Sequence, residues 1–211
     1  MSKPSLELRW FFKGLVPAEV RSWFTHTVLA DRPCKEKSRR DLYFLVRNRD
    51  DLGLKLSRGR LELKWCQAAH PFALSDPRVD GVAENWVKEE WRGAKELGSC
   101  LDLAFGKPNL RGWRVEVHKT RCQRKFQVDA RGHLSDLVMD RPAEQFFKVE
   151  LTSLAKHDRP WWTLGMEISG EPENLQEIFA AAVQNLLSDH PPLNLHAGQS
   201  YGYPRWLMHS L

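Results

Sequence analysis

Leu6-Glu7-Leu8-Arg9-Trp10-Phe11-Phe12 alternates strictly between apolar and other residues at its start. On an extended strand Leu6, Leu8, Trp10 and Phe12 share one face, while Ser5, Glu7, Arg9 and Phe11 share the other. Arg60-Leu61-Glu62-Leu63-Lys64-Trp65 repeats the pattern, with Leu61, Leu63 and Trp65 opposite Arg60, Glu62 and Lys64. Each strand therefore carries an acid and a base two residues apart on its non-apolar face. Such faces either line an ion-binding tunnel or form ordinary cross-strand ion pairs in water, at about 0.2–1 kcal/mol each.

The rest of the chain gives these strands neighbours. Pro17-Ala18-Glu19 opens a helix whose inward stripe is Val20, Trp23, Phe24 and Thr27. A polar, basic segment follows over 31–40, and 41–47 reads as a strand. Ser57-Arg58-Gly59 joins the short strands 54–56 and 60–65 as a hairpin. Over 80–92, Val82, Trp86, Glu90 and Trp91 fall at helical spacing and predict a helix ended by Gly93. Residues 105–109 read as a loop. From Gly112 to Val128 alternation returns, with Val115, Val117, Lys119 and Arg121 on one face. Further strands are expected at 134–138, 146–154 and 161–168, with a break at 156–160. Pro172 starts the clearest helix, striped by Leu175, Ile178, Phe179, Ala182, Val183, Leu186 and Leu187. The aromatic tail, with Tyr201-Gly202-Tyr203-Pro204 and Trp206, is expected to dock on the body. These elements make one α+β domain over 1–211: a predominantly antiparallel sheet of eight strands with covering helices.

Composition narrows the function. The 211 residues are 42% hydrophobic and 28% charged, which suits a folded chain with a real core. The net charge of +5 favours anionic partners such as phosphates, nucleotides or nucleic acid. Cys34, Cys66, Cys100 and Cys122 form no CxxC pair, which excludes a zinc finger or a thioredoxin-like motif. No apolar leader follows Met1 and no run spans a membrane, so a cytoplasmic protein with reduced thiols is expected. His118, His133 and His157 share no ligand spacing and read as ordinary histidines. Trp161-Trp162 reads as packing before a base-stacking platform. Walker A and dinucleotide fingerprints are absent.

The order of motifs resembles the CYTH-like, triphosphate-tunnel superfamily, which includes thiamine triphosphatases, inorganic triphosphatases and class-IV adenylyl cyclases. Its opening Glu-x-Glu-x-Lys strand matches Ser5, Glu7 and Arg9. Its Asp-x-Tyr strand looks like Asp41-Leu42-Tyr43. Its basic strands look like Leu54-Lys55-Leu56 and 60–64, and its Lys-x-Arg like Lys119-Thr120-Arg121. Its late acidic strand looks like Val149-Glu150-Leu151 followed by Leu164-Gly165-Met166-Glu167. Serine replaces one opening glutamate and arginine replaces the lysine.

The resemblance implies a sheet curled into a tunnel-like barrel, with helices packed outside. It implies a triphosphate or polyphosphate clamp of Arg9, Lys55, Arg60, Lys64, Lys119 and Arg121. It assigns Glu7, Glu62, Glu150 and Glu167 to a Mg²⁺ or Mn²⁺ ion, with Asp41 as a further candidate, and Glu7 and Glu62 to catalysis. The reaction would be phosphohydrolysis, or cyclisation if a nucleotide binds with its 3′-hydroxyl poised for attack. Two other readings stay open: an inactive anion-binding module, and an RNA-binding protein using basic faces and exposed tryptophans.

Overall fold

The computed structural model describes residues 4–46, 48–92, 114–137, 146–170, 174–188 and 191–209. Among them run nine strands: β1 (Ser5–Lys13), β2 (Lys37–Phe44), β3 (Leu52–Ser57), β4 (Arg60–Ala73), β5 (Asp80–Arg92), β6 (Arg114–Val128), β7 (Leu134–Asp136), β8 (Phe146–Lys156) and β9 (Arg159–Ser169). Their order is β2-β3-β4-β5-β1-β9-β8-β6, and β6 pairs back onto β2. Eight strands thus close into a barrel in which every pairing is antiparallel. The short β7 adds to the far end of β6. Closure satisfies the backbone groups that an open sheet leaves at its edges.

Period two sorts the side chains between the wall's faces. Outward, Leu6 and Leu8 of β1, Phe147 and Val149 of β8, and Met166 and Ile168 of β9 enter the main apolar cluster. Helix α1 (Ala18–Trp23) runs on into a π-helical turn over Phe24–Val28 and packs Val20, Trp23 and Phe24 there; Thr27 is only half-buried and Val28 takes the inward place. Helix α2 (Leu175–Leu187) adds Ile178, Phe179, Ala182, Val183, Leu186 and Leu187. Each such side chain, fully buried, contributes about 1.5–3 kcal/mol, so this shell is the main support of the barrel. Inward, the same strands present Ser5, Glu7, Arg9, Lys148, Glu150 and Glu167. Helix α3 (Tyr203–His209) lies across one end of the lumen.

Several sequence expectations change. Residues 80–92 form β5, not a helix. Val82 and Trp86, both large and apolar, stand four residues apart on the same face of the strand and so imitate a helical repeat. Register with β4 from Arg60↔Arg92 to Ala73↔Asp80 overrides that local pattern. Lys37–Arg40 belongs to β2 because it pairs with 118–121 of β6. The break at 156–160 is a tight hairpin through His157 and Asp158, both left-handed at φ 49° and 59°. Arg47, Gly93, the loop at 105–109, residues 112–113 and Val138 lie outside the described residues.

The thiols also differ from expectation. Cys34 and Cys122 form a disulfide across 88 residues, with Cα atoms 5.8 Å apart. It ties the segment after α1 to the outer face of β6. Cys66 is a free thiol whose pKa burial pushes up to about 11, which makes it a poor nucleophile. Among the described residues no helix is long and apolar enough to cross a membrane.

Candidate active site

The lumen is a cavity of about 900 Å³. All ten residues singled out in the sequence line it: Glu7, Glu62, Glu150, Glu167, Arg9, Lys55, Arg60, Lys64, Lys119 and Arg121. The alternation that places apolar residues under the helices places these inside. Their charges face the lumen and not the outer surface of the barrel. Asp41 is fully buried in the wall and accepts a hydrogen bond from Ser57 at 2.6 Å. It serves as a counterion there, 3.2 Å from Lys119 and 3.9 Å from Lys55.

The charges form local pairs. Arg9 bridges Glu150 at 2.7 Å and donates to the Thr163 hydroxyl at 2.7 Å. Arg121 reaches the other Glu150 oxygen at 3.2 Å. Lys64 pairs with Glu7 and Lys148 with Glu167. Lys55 binds Glu62 at 2.9 Å, and Arg60 meets Glu90 at 3.3 Å.

These pairs shift the titrations. Burial works against the charged Glu150, but Arg9, Arg121 and Lys148 outweigh it and hold the carboxyl far below its usual range. Burial likewise opposes charge on Glu7, yet Lys64 and Arg9 leave it below the ordinary value. Lys119 goes the other way. Its burial dominates, Lys55, Arg39 and Arg9 add repulsion, and Asp41 opposes them only in part, so its ammonium sits well below a normal lysine. Glu84 is raised by burial and by neighbouring Glu7, against hydrogen bonds from Trp86 and Gly202.

A divalent cation needs hard oxygen donors, and the wall has them. Glu7 is in register with Glu84 on one side and Glu167 on the other, making a row of three carboxylates across β5, β1 and β9. Glu62 and Glu150 lie elsewhere on the wall, on β4 and β8. Among the described residues no three potential ligands converge on one metal-sized point. The donor chemistry of the Glu7–Glu167 row fits Mg²⁺ or Mn²⁺, while Ser5 and Ser169, themselves paired across β1 and β9, offer only hydroxyls.

Sequence reasoning missed part of the lining. Glu84, Trp86, Lys88 and Glu90 come from β5, and a period-two reading of that stretch finds all four. Lys148 stands two residues before Glu150 and follows the same rule. Tyr203 has no such signal. It comes from α3, and its ring lies 5.1 Å from the Arg9 guanidinium and 3.6 Å from Lys119 Nζ. His118 and His133 pair on the surface with Glu116 and Asp129. Trp162 is buried and stacks on Phe12, as packing requires.

A closed eight-stranded antiparallel barrel with acids and bases in inward rows decides the architecture. This is a tunnel-like antiparallel barrel, the architecture that the CYTH-like resemblance implies. No family model and no curated protein matches the chain. Solved structures that align with this tunnel fold include the PH1819 protein of Pyrococcus horikoshii OT3, at 11% identity over 98% of this chain and 99% of that one, with a TM-score of 0.44. They also include the Pct1 RNA triphosphatase of S. pombe, at 9% identity over 89% of this chain and 82% of that one, with a TM-score of 0.37. Strand order and the charged lumen, not these distant overlaps, define the tunnel fold here.

Proposed function

We propose that the tunnel binds a triphosphate or short polyphosphate together with a divalent cation and hydrolyses it. One observation carries this reading: seven of the eight barrel strands aim a lysine or arginine into one cavity. A triphosphate chain concentrates several negative charges along a narrow rod, and guanidinium and ammonium groups from all round match it. On entry, phosphate oxygens would replace the carboxylates now paired with Arg9, Lys55, Lys64 and Arg121. Glu7 and Glu167 would hold Mg²⁺ or Mn²⁺, which when bound shields phosphate charge. Glu7 or Glu62, as carboxylate, would orient a water toward phosphorus. That water forms the new P–O bond as the bridging oxygen leaves with the shortened chain.

Phosphate release from tripolyphosphate, ATP and thiamine triphosphate tests it, with Mg²⁺, Mn²⁺ or EDTA present. Metal-dependent release is expected, with loss in both Glu62→Gln and Glu7→Gln. Release untouched by EDTA and by both substitutions would count against the assignment. A second reading, the non-catalytic anion-binding module, draws on the cation partner that each of Glu7, Glu62, Glu150 and Glu167 has. It is the outcome if tripolyphosphate raises Tm and nothing is released.

A further inference from the structure

The barrel closes where β2 meets β6, and that seam sets like charges against each other. On one face Lys37 stands in register with Arg121, and Arg39 with Lys119. Like charges directly opposite on neighbouring strands work against their pairing. Carboxylates offset part of this. Asp41 lies 3.2 Å from both Arg39 and Lys119, and Glu150 lies 3.2 Å from Arg121. β4 and β5 also oppose like charges, at Arg60↔Arg92 and Lys64↔Lys88, but those two strands are consecutive and share 13 paired positions. β2 and β6 have no such local tie: Ser38 and Thr120, whose hydroxyls meet at 2.9 Å on the outer face, are 82 residues apart in the chain.

A covalent bond lies at the Lys37–Arg121 end of this seam. Cys122 directly follows Arg121 on β6, Cys34 comes just before β2 opens at Lys37, and the two form the disulfide. Other contacts hold the chain that leads into β2 only lightly. Arg124 donates to the Val28 carbonyl at 2.6 Å, and the Asp31 N–H donates to the Thr25 carbonyl at 3.0 Å. Further on, Arg32 pairs with Asp136, and Arg21 with Glu36 at 3.5 Å. Both are exposed ion pairs, which add little. Cys122 is buried, but Cys34 is only partly so, which leaves its sulfur open to attack by a small thiolate.

We infer that the Cys34–Cys122 bond is a redox clasp on the barrel's closing seam and thereby controls how well the lumen holds an anion. A dithiol reductant opens it. One thiolate of the reductant attacks Cys34 Sγ, the Sγ–Sγ bond breaks, and Cys122 leaves as a thiolate. The second thiol of the reductant then attacks the mixed disulfide and releases Cys34. The protein gains two electrons and two protons, and the reductant becomes a cyclic disulfide. Without the clasp, the end of β2 that carries Lys37 and Arg39 parts from Arg121 and Lys119. An anion that needs cations from both strands must then bring them together first, and once bound it favours the closed seam. The effect on anions rests on the phosphate reading above and adds regulation to that site.

Hydrogen exchange and calorimetric titration with tripolyphosphate in Mg²⁺ test the clasp. The samples are the oxidised wild type, the wild type reduced with a dithiol, and Cys34→Ser. Reduction is expected to speed amide exchange at least about tenfold over 37–40 and 118–121, while the β8–β9 pairing keeps its rates. It is expected to weaken tripolyphosphate binding about tenfold, as a smaller share of the protein is closed. Cys34→Ser should show both changes without reductant and respond no further to it, which excludes the other cysteines as the source. Lys37→Glu places an acid opposite Arg121 and should hold the seam amides of the reduced protein near their oxidised rates. Equal seam exchange before and after reduction overturns the clasp. So does faster exchange spread evenly over all strands, which marks a general loss of stability. Unchanged affinity beside a loosened seam overturns its control of the lumen. If the oxidised protein binds no tripolyphosphate, the phosphate reading fails, and the exchange comparison alone decides the clasp.

Discussion

Arg9 keeps its place because residue 165 has no side chain. Arg9 and Gly165 are partners across β1 and β9, and the guanidinium lies over the glycine. A Cβ on residue 165 would stand 2.6 Å from Arg9 Cζ and 2.7 Å from each terminal nitrogen. Gly165→Ala must therefore push the guanidinium off Glu150 and Thr163. The expected loss of stability is about 1–3 kcal/mol, seen as a lower urea midpoint, together with weaker tripolyphosphate binding. A variant with the wild-type midpoint and affinity would show that Arg9 is not held as described. Lys119 gives the second test at this scale. The groups facing it are Asp41, Arg39 and Tyr43 of β2, Lys55 of β3, Arg9 of β1 and Tyr203 of α3. Burial and the surrounding cations favour its neutral form, and only the protonated form attracts an anion. Affinity for tripolyphosphate should fall as pH rises through its depressed value. Lys119→Arg, which stays charged throughout, should flatten that profile. Parallel profiles for the two proteins would remove Lys119 from the binding set.

Elements were legible where residues two apart keep one character, apolar or charged, over successive steps. β1, the β3 and β4 strands of the hairpin and the 115–121 part of β6 meet that condition, and their charged inward residues were found in the sequence. β5 does not, because Val82, Glu84, Trp86 and Lys88 mix apolar and charged side chains on one face, and its inward Glu84, Trp86, Lys88 and Glu90 were missed with it. The seat of α3 was half legible: the aromatic tail was expected to dock, but nothing local says that it docks into the barrel's end. That placement comes from Phe11, Val117 and Leu154, which belong to three different strands and cluster with Trp206 and Leu207. The disulfide was not legible at all, since Cys34 and Cys122 lie 88 residues apart and only β2–β6 pairing and the turn after α1 bring them together. It can be tested as an element staple. Cys34→Ser should cost about 2–4 kcal/mol, read by urea denaturation. Reductant should lower the wild-type midpoint by a similar amount and leave the variant unmoved. If reductant shifts neither protein, the bond does not hold the α1 segment to β6.

For the whole molecule, an enclosed charged lumen makes stability depend on pH in a way that a solvated face would not. Glu7, Asp41 and Glu150 are buried carboxyls, and each is held below its ordinary value by lysines and arginines despite the opposing effect of burial. Their unfolded values lie near 4, so above that pH the folded state has its full advantage. As pH falls through that value toward the depressed folded ones, the unfolded chain takes up protons that the folded chain refuses, and stability drops. Each such group contributes a slope of about 1.4 kcal/mol per pH unit in that window. Once the carboxylates are neutralised, the ten basic residues lining the cavity face one another without counterions, which adds to the drive to open. Urea midpoints measured from pH 7 to pH 3 should hold steady at first and then fall steeply below about pH 4. Glu150→Gln should start lower at pH 7, because Arg9 and Arg121 lose their shared partner, and should fall less steeply below pH 4 by about one proton. Tripolyphosphate at a hundred times its Kd should restore about 2.7 kcal/mol at either pH, since it occupies the folded state alone. A wild type with no acid slope, or a variant with the wild-type slope, would place these charges in contact with bulk water and return the alternating strands to an ordinary wet face.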